Sequence, residues 1–266
     1  MMASTATSRL ALPFALVLAA ALAASCGSAL PDGSQDDSRP VLTVEQALAA
    51  PEGETMRVQG NILASGDDMR LCSGLAESYP PQCAEPALRL SGLDTGMVVG
   101  LSRPNQPGFA DVIWSDFLIT LEGVRSAGGL AVTKVLQNVA VRETAGIRVR
   151  LAYAPDPLRS PGNVAWLLDV TNALSTPLTL RFNDGQLGEV VLRRNGAEAY
   201  RWSEGKVFTQ ALQEIALAPG ETRAISLNDE LSLEPDIYDV TAWVTAESPA
   251  LPQVETEIEI LGSTQP

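Results

Sequence analysis

The feature that most constrains the fold is a run of strand and turn signals over residues 178–221. Leu178, Leu180 and Phe182 alternate with polar neighbours, which is the period of two that marks a half-buried strand. Further along, Asn195-Gly196 separates two more strand-like runs, and this pair favours a two-residue hairpin because both residues accept positive φ. Strands joined by such tight turns predict an antiparallel β module, and their spacing suggests a β-sandwich.

Several short motifs follow one another in and after this stretch. They are Gly185-Gln186, Tyr200-Arg201-Trp202-Ser203, Phe208-Thr209-Gln210-Ala211-Leu212, Leu217-x-Pro219-Gly220-Glu221 and Pro235-Asp236-x-Tyr238. In this order they resemble the intracellular proteinase inhibitor family (BsuPI-type domains) over roughly residues 147–246. Gly188-Glu189 stands where that family has Tyr-Asp. The resemblance implies a β-sandwich that binds a protein partner, with a serine protease as the candidate to be inhibited.

The whole C-terminal part, residues 146–262, carries strand patterns. Trp166 and Leu168 share one strand face, and near the end of the chain Ile258 and Ile260 alternate with Glu257 and Glu259. About seven or eight strands of this kind predict an immunoglobulin-like β-sandwich. The glutamates predict a solvated face that also resists edge-to-edge pairing.

Residues 41–142 predict a separate small β domain. Thr43 and Gln46 form a capping-box pattern, so a short helix should open the domain. About five strand-like runs follow, and this layout resembles an OB-fold barrel. The fold class is therefore all-β, an OB-like barrel followed by an immunoglobulin-like sandwich.

Cys72 and Cys83 are expected to form a disulfide. They are the only cysteines besides Cys26, and an even pair in an exported chain usually forms a bridge. The loop they close contains Tyr79 and Pro80-Pro81. Two interpretations stay open: the bridge staples a surface loop, or it holds a rigid binding loop tipped by Tyr79.

The first 40 residues predict export. Residues 1–25 have the features of a signal peptide, with an apolar segment of about fifteen residues, too short for an ordinary membrane span. Small residues precede Cys26 as in a bacterial lipobox, which predicts Cys26 as the lipidated first residue of the mature chain. An ordinary secretory peptide cut nearby is the alternative. Residues 26–40 then form a flexible tether, and the protein is expected outside the cytoplasm on a lipid anchor.

Composition argues against an enzyme. The chain contains no histidine and its formal net charge is −14. Missing histidine removes the usual general base and most zinc sites, and no catalytic motif is present. No cofactor and no metal are therefore expected, and the negative charge disfavours nucleic acid as a partner.

The partner-binding residues proposed from sequence are Leu158 and Arg159. Prolines at positions 155, 157 and 161 should stiffen the connection that displays them. A plain inter-strand loop is the alternative. Trp202 is expected in the core. The leading hypothesis is an exported, lipid-anchored, non-enzymatic protein-binding protein of proteinase-inhibitor type. The alternative is a structural or ligand-binding module of the cell envelope that acts through the barrel.

Overall fold

The computed structural model describes residues 39–104 and 111–263, and the described chain is built almost entirely of β-strands. Cys26 and the predicted signal peptide lie outside the described residues, as does nearly all of the tether. No helix in the described ranges is long and apolar enough to cross a membrane.

The first part of the described chain contains helix α1, one 3-10 turn and eight strands. They are β1 (Val41–Thr43), α1 (Val44–Ala49), β2 (Thr55–Ser65), β3 (Asp68–Ala76), β4 (Gln82–Ser91), the 3-10 turn (Thr95–Met97), β5 (Leu101–Ser102), β6 (Val112–Ser115), β7 (Ile119–Ser126) and β8 (Gly129–Leu136). The predicted capping box is confirmed, because the Thr43 hydroxyl accepts from the Gln46 N–H and the Gln46 side chain accepts from the Thr43 N–H.

Five of these strands pair with one another in a closed cycle. Strand β2 pairs with β3 and with β7, β3 pairs with β4, β4 pairs in parallel with β8, and β8 pairs with β7. Their inward side chains form one core with Val44 and Ala47 of α1. Residues 98–100 connect the 3-10 turn to the short strand β5.

The second part contains eleven strands. They are β9 (Ala140–Thr144), β10 (Ile147–Ala154), β11 (Leu158–Ser160), β12 (Gly162–Asn172), β13 (Leu178–Phe182), β14 (Gly188–Arg194), β15 (Ala197–Arg201), β16 (Gln213–Leu217), β17 (Thr222–Leu231), β18 (Asp236–Val244) and β19 (Val254–Gly262). One sheet has the order β17-β12-β10-β9, a second has β11-β19-β18-β14-β15, and β13 pairs with β16. They enclose a shared core with fully buried Trp166 and Phe182, which makes this part a β-sandwich.

Two local predictions for the sandwich, one turn and one strand face, are confirmed. Asn195 and Gly196 have φ of 53° and 79°, and they join β14 to β15 as the predicted hairpin. In β19, Ile258 and Ile260 are buried whereas Glu257 and Glu259 are exposed, as the alternation predicted.

A small buried interface joins the two parts of the chain. Val99 packs with Ala152 and Leu167 in an apolar cluster. Beside it the Arg150 guanidinium lies 2.8 Å from the Asp169 carboxylate, which is almost fully buried. Arg150 also donates to the Val98 carbonyl, so the pair ties the sandwich to the segment that follows the 3-10 turn.

The position of Gly100 in this interface accepts only glycine. Its φ is +85°, and an added Cβ would lie 2.5 Å from the Phe117 ring. The Gly100 N–H donates to Asp169 at 3.0 Å. Burial raises the pKa of the Asp169 carboxyl to about 6, while Arg150 and this N–H act in the opposite direction.

Candidate protein-binding site

The segment between β15 and β16 carries two highly exposed apolar side chains. We call residues 203–212 the contact loop. Val207 is 96% exposed and Leu212 is 80% exposed, the two highest values among large apolar side chains in the described ranges. From residue 206 to residue 212 the chain has no regular secondary structure. Two large apolar side chains exposed on one connection make it a candidate interaction site.

Aromatic packing holds the first half of the contact loop. The Trp202 indole N–H donates to the Asn228 carbonyl at 3.2 Å, and the Trp202 and Phe208 ring centroids are 5.7 Å apart. The Lys206 ammonium lies 5.1 Å from the centre of the Trp202 ring. Such a cation–π contact contributes roughly 0.5–1 kcal/mol at an exposed site. Trp202 is thus half-buried on a turn. It packs against the sandwich core and does not lie fully inside it as expected, because β15 ends one residue earlier.

Asp229 connects the contact loop to the core. Its carboxylate lies 3.2 Å from the Lys206 ammonium and accepts from the Tyr200 hydroxyl at 3.0 Å. The Tyr200 oxygen in turn accepts from the indole N–H of fully buried Trp166. Burial raises the pKa of the Tyr200 hydroxyl, and the hydrogen bond to Asp229 acts in the same direction, so the hydroxyl remains a donor.

The second half of the contact loop rests on Gly185. The Gly185 N–H donates to the Thr209 carbonyl at 2.8 Å. A Cβ at Gly185 would lie 2.5 Å from the Thr209 hydroxyl oxygen, so a side chain there would force the Thr209 hydroxyl to move. Two of the motifs that suggested the family resemblance, Gly185-Gln186 and Phe208 to Leu212, therefore meet in space.

A buried carboxylate fixes the turn where the contact loop begins. Glu189 is only 3% exposed and accepts hydrogen bonds from the Ser203 N–H at 3.1 Å and from the Ser203 hydroxyl. It also accepts from the Gln186 amide at 3.1 Å and lies 3.7 Å from the Arg201 guanidinium. The sequence singled out Glu189 only as a departure from the family pattern. A signal was present, because Glu189 stands directly before the apolar run Val190-Val191-Leu192.

The structure does not display Leu158 and Arg159 as the sequence predicted. Leu158 is fully buried, and both residues lie in β11, which pairs in parallel with β19. The Arg159 guanidinium donates to the Gly262 carbonyl at 2.9 Å. Leu158 therefore cannot reach a partner unless β11 leaves the sheet. The prolines flank a short strand instead of stiffening a loop.

The Cys72–Cys83 disulfide is confirmed, with the two Cα atoms 5.4 Å apart. It joins β3 to β4 below a connection on which Tyr79 is 58% exposed. The Tyr79 ring packs edge-on against Trp114, with centroids 6.1 Å apart. Tyr79, Arg70 and Asp68 line a surface groove of about 660 Å³.

Within residues 39–104 and 111–263, no group of three or more His, Cys, Asp or Glu side chains could hold a metal ion. Several acidic residues lie between positions 229 and 236. Among them, Asp229 forms an ion pair with Lys206 and accepts a hydrogen bond from Tyr200. The Asp236 carboxylate faces the Arg194 guanidinium at 3.6 Å.

The fold and the site define a β-sandwich with an anchored, apolar-tipped loop. Residues 151–249 match the family model described as intracellular proteinase inhibitor (BsuPI). The match covers less than half of the chain and contains the entire contact loop with its anchors. No curated protein matches this chain.

Solved structures of glycosidases show weak similarity. A β-glucosidase from Erythrobacter marinus has 12% identity and a TM-score of 0.27, covering 48% of this chain and 16% of its own. A β-glucosidase from Listeria innocua in complex with glucose has 14% identity and a TM-score of 0.25, covering 62% of this chain and 22% of its own. This chain thus spans less than a quarter of these enzymes, and such scores carry no functional conclusion.

Proposed function

We propose that this protein is an exported, lipid-anchored, non-enzymatic inhibitor of a serine protease, and that the contact loop is the surface that binds the protease. The observation that carries the proposal is a loop that is anchored at both ends and exposes two large apolar side chains, Val207 and Leu212. This loop lies inside the segment that matches the inhibitor family. The match of residues 151–249 to the inhibitor family is an observation, and the other features are proposed.

The anchoring explains why such a loop would bind well. A flexible loop loses conformational entropy when a partner orders it, and each immobilised side chain costs about 0.5–1.5 kcal/mol. Here Trp202, Asp229 and Gly185 hold the loop before any partner arrives. Most of that loss is therefore already met on folding, and the exposed apolar side chains remain available for contact.

Replacing both exposed side chains tests this surface. We expect the double substitution Val207→Ser and Leu212→Ser to weaken inhibition of a sensitive serine protease by at least 100-fold, because a residue at the centre of an interface can contribute about 2 kcal/mol or more and a neighbouring contact adds to this loss. The measurement is the inhibition constant of the mature chain across a serine-protease panel. Ile237→Ser is the matched control, since Ile237 is 59% exposed on β18, outside the loop. If both variants inhibit as well as the wild type, the loop is not the contact surface.

The proposed architecture is an OB-like barrel of about residues 41–142, followed by an immunoglobulin-like sandwich of about residues 146–262. The cyclic pairing of β2, β3, β4, β8 and β7, with one parallel pair, supports the first assignment. Strand β9 pairs with β10, so the second module would begin close to residue 140.

The proposed anchor is a lipid on Cys26, which would place both modules outside the cytoplasm at the membrane surface. The apolar segment and the small residues before Cys26 support this. We expect an acyl mass on the N-terminal cysteine of protein purified from native membranes, and a soluble, folded product from Cys26→Ser. An unmodified Cys26, or its removal with the signal peptide, would exclude the lipoprotein assignment.

A second candidate function is favoured by the groove beside Tyr79. An exposed aromatic ring next to Arg70 and Asp68 could bind a sugar or peptide of the cell envelope. In that case Tyr79→Ala would abolish ligand binding to the barrel, whereas substitutions in the contact loop would leave it unchanged.

A further inference from the structure

In residues 206–208 of the contact loop, two side chains that pack on the sandwich flank one that is exposed to solvent. Lys206 is partly buried by its contacts to Asp229 and Trp202, and Phe208 is partly buried against the Trp202 ring. Val207 between them is 96% exposed. The two neighbours are fixed by the sandwich, so the loop presents a single side chain outward on a supported backbone.

We infer that Val207 is the residue that enters the primary specificity pocket of the inhibited protease, and that this pocket is small and apolar. The inference rests on the proposed function and names the class of its partner. A substrate-like contact needs one projecting side chain on backbone that is not paired in a sheet. Val207 meets this need because residues 206–212 lie outside regular secondary structure.

The size and chemistry of valine select among serine-protease pockets. A pocket with a carboxylate at its base would have to bury that charge without a partner, which is strongly unfavourable. A deep aromatic-binding pocket would leave unfilled volume around a side chain of three carbon atoms and lose dispersion contacts. A shallow pocket of the elastase type fits both the volume and the lack of charge. Because valine is branched at Cβ, it also loses little rotamer freedom on binding.

Leu212 is the other exposed apolar residue of the loop, and its setting is different. The next residue, Gln213, already pairs with Phe182 in the β13–β16 ladder. The backbone after Leu212 is therefore committed to a sheet and cannot extend along a protease cleft. We therefore place Leu212 at the edge of the interface with the protease and Val207 at its centre.

Changing the specificity of the inhibitor tests the inference. Inhibition constants of the wild type, Val207→Lys and Ile237→Lys are measured against an elastase-type and a trypsin-type protease. The wild type is expected to inhibit the elastase-type enzyme. Val207→Lys should lose this inhibition by about 100-fold or more and gain at least tenfold against the trypsin-type enzyme, whose pocket carboxylate pairs with lysine. Ile237→Lys, with the same charge change at an exposed apolar residue of β18 outside the contact loop, should shift neither constant more than about fivefold.

Each outcome bears on a different claim. Val207→Lys should fold normally because its side chain is almost wholly in solvent, and an unchanged thermal midpoint verifies this. If the wild type inhibits the elastase-type enzyme and Val207→Lys does so equally well, Val207 does not occupy the pocket and the inhibitor function stands. If the wild type inhibits only trypsin-type or chymotrypsin-type enzymes, the pocket assignment is wrong. If it inhibits none of them, both the inference and the proposed function fail.

Discussion

Trp166→Ala is expected to lower the free energy of unfolding by about 3–5 kcal/mol, because it removes the largest fully buried side chain and leaves a cavity in the sandwich core. The substitution also removes the N–H that donates to the Tyr200 hydroxyl. Denaturant unfolding of the purified mature chain measures the loss.

Trp202→Ala is the matched comparison. Trp202 is the same residue type in the same module, but it is only half-buried and covers the contact loop. We expect a smaller loss of stability than for Trp166→Ala, together with weaker inhibition, because Phe208 and Lys206 lose their support. Equal destabilisation by the two substitutions would contradict the burial described for these tryptophans.

The second large effect is expected at the interface between the two parts of the chain. Arg150→Met should lower the free energy of unfolding by about 3–5 kcal/mol near pH 7, because it leaves the buried Asp169 carboxylate without its ion-pair partner. Arg148→Met is a suitable control. Its ion pair with Glu143 is exposed, and such pairs contribute about 0–1 kcal/mol. A loss at Arg150 no greater than at Arg148 would show that the interface pair is solvated.

Asp169 should also impose a pH dependence whose sign follows from its raised pKa. The folded protein holds the Asp169 proton up to about pH 6, whereas the unfolded chain releases it near 3.8, the ordinary pKa of an aspartic acid. The stabilising contribution is thus complete below about pH 4 and is lost as the pH rises through 6. Because Asn does not titrate, the stability of the wild type relative to Asp169→Asn should fall by about 3 kcal/mol between pH 3 and pH 7. A difference that stays constant over this range, measured by urea unfolding, would contradict the raised pKa.

Much of the local structure follows from short sequence patterns. The capping box at Thr43, the Asn195-Gly196 hairpin and the Cys72–Cys83 bridge each depend on a few residues with strong local preferences. The family motifs were also informative, since Gly185 and Thr209 turned out to be direct partners.

Features set by distant pairing could not be predicted in this way. Leu158 looked like part of an exposed loop because prolines surround it, yet it is buried through pairing with Ile260, about a hundred residues away. Trp202 looked like a core residue by strand parity, but the strand ends just before it. Val207 has an ordinary sequence environment. Its exposure becomes evident only when Asp229 and Trp202 fix the residues beside it.

The most direct test of the account is the hydrogen-exchange footprint of an inhibited protease on the mature chain. Amide protection on complex formation should concentrate in residues 203–212. It should be absent from β11 at Leu158–Ser160 and from the Tyr79 connection of the barrel. Protection confined to the Tyr79 groove or to another face of the sandwich, with unchanged exchange in residues 203–212, would contradict the claim that the contact loop binds the protease.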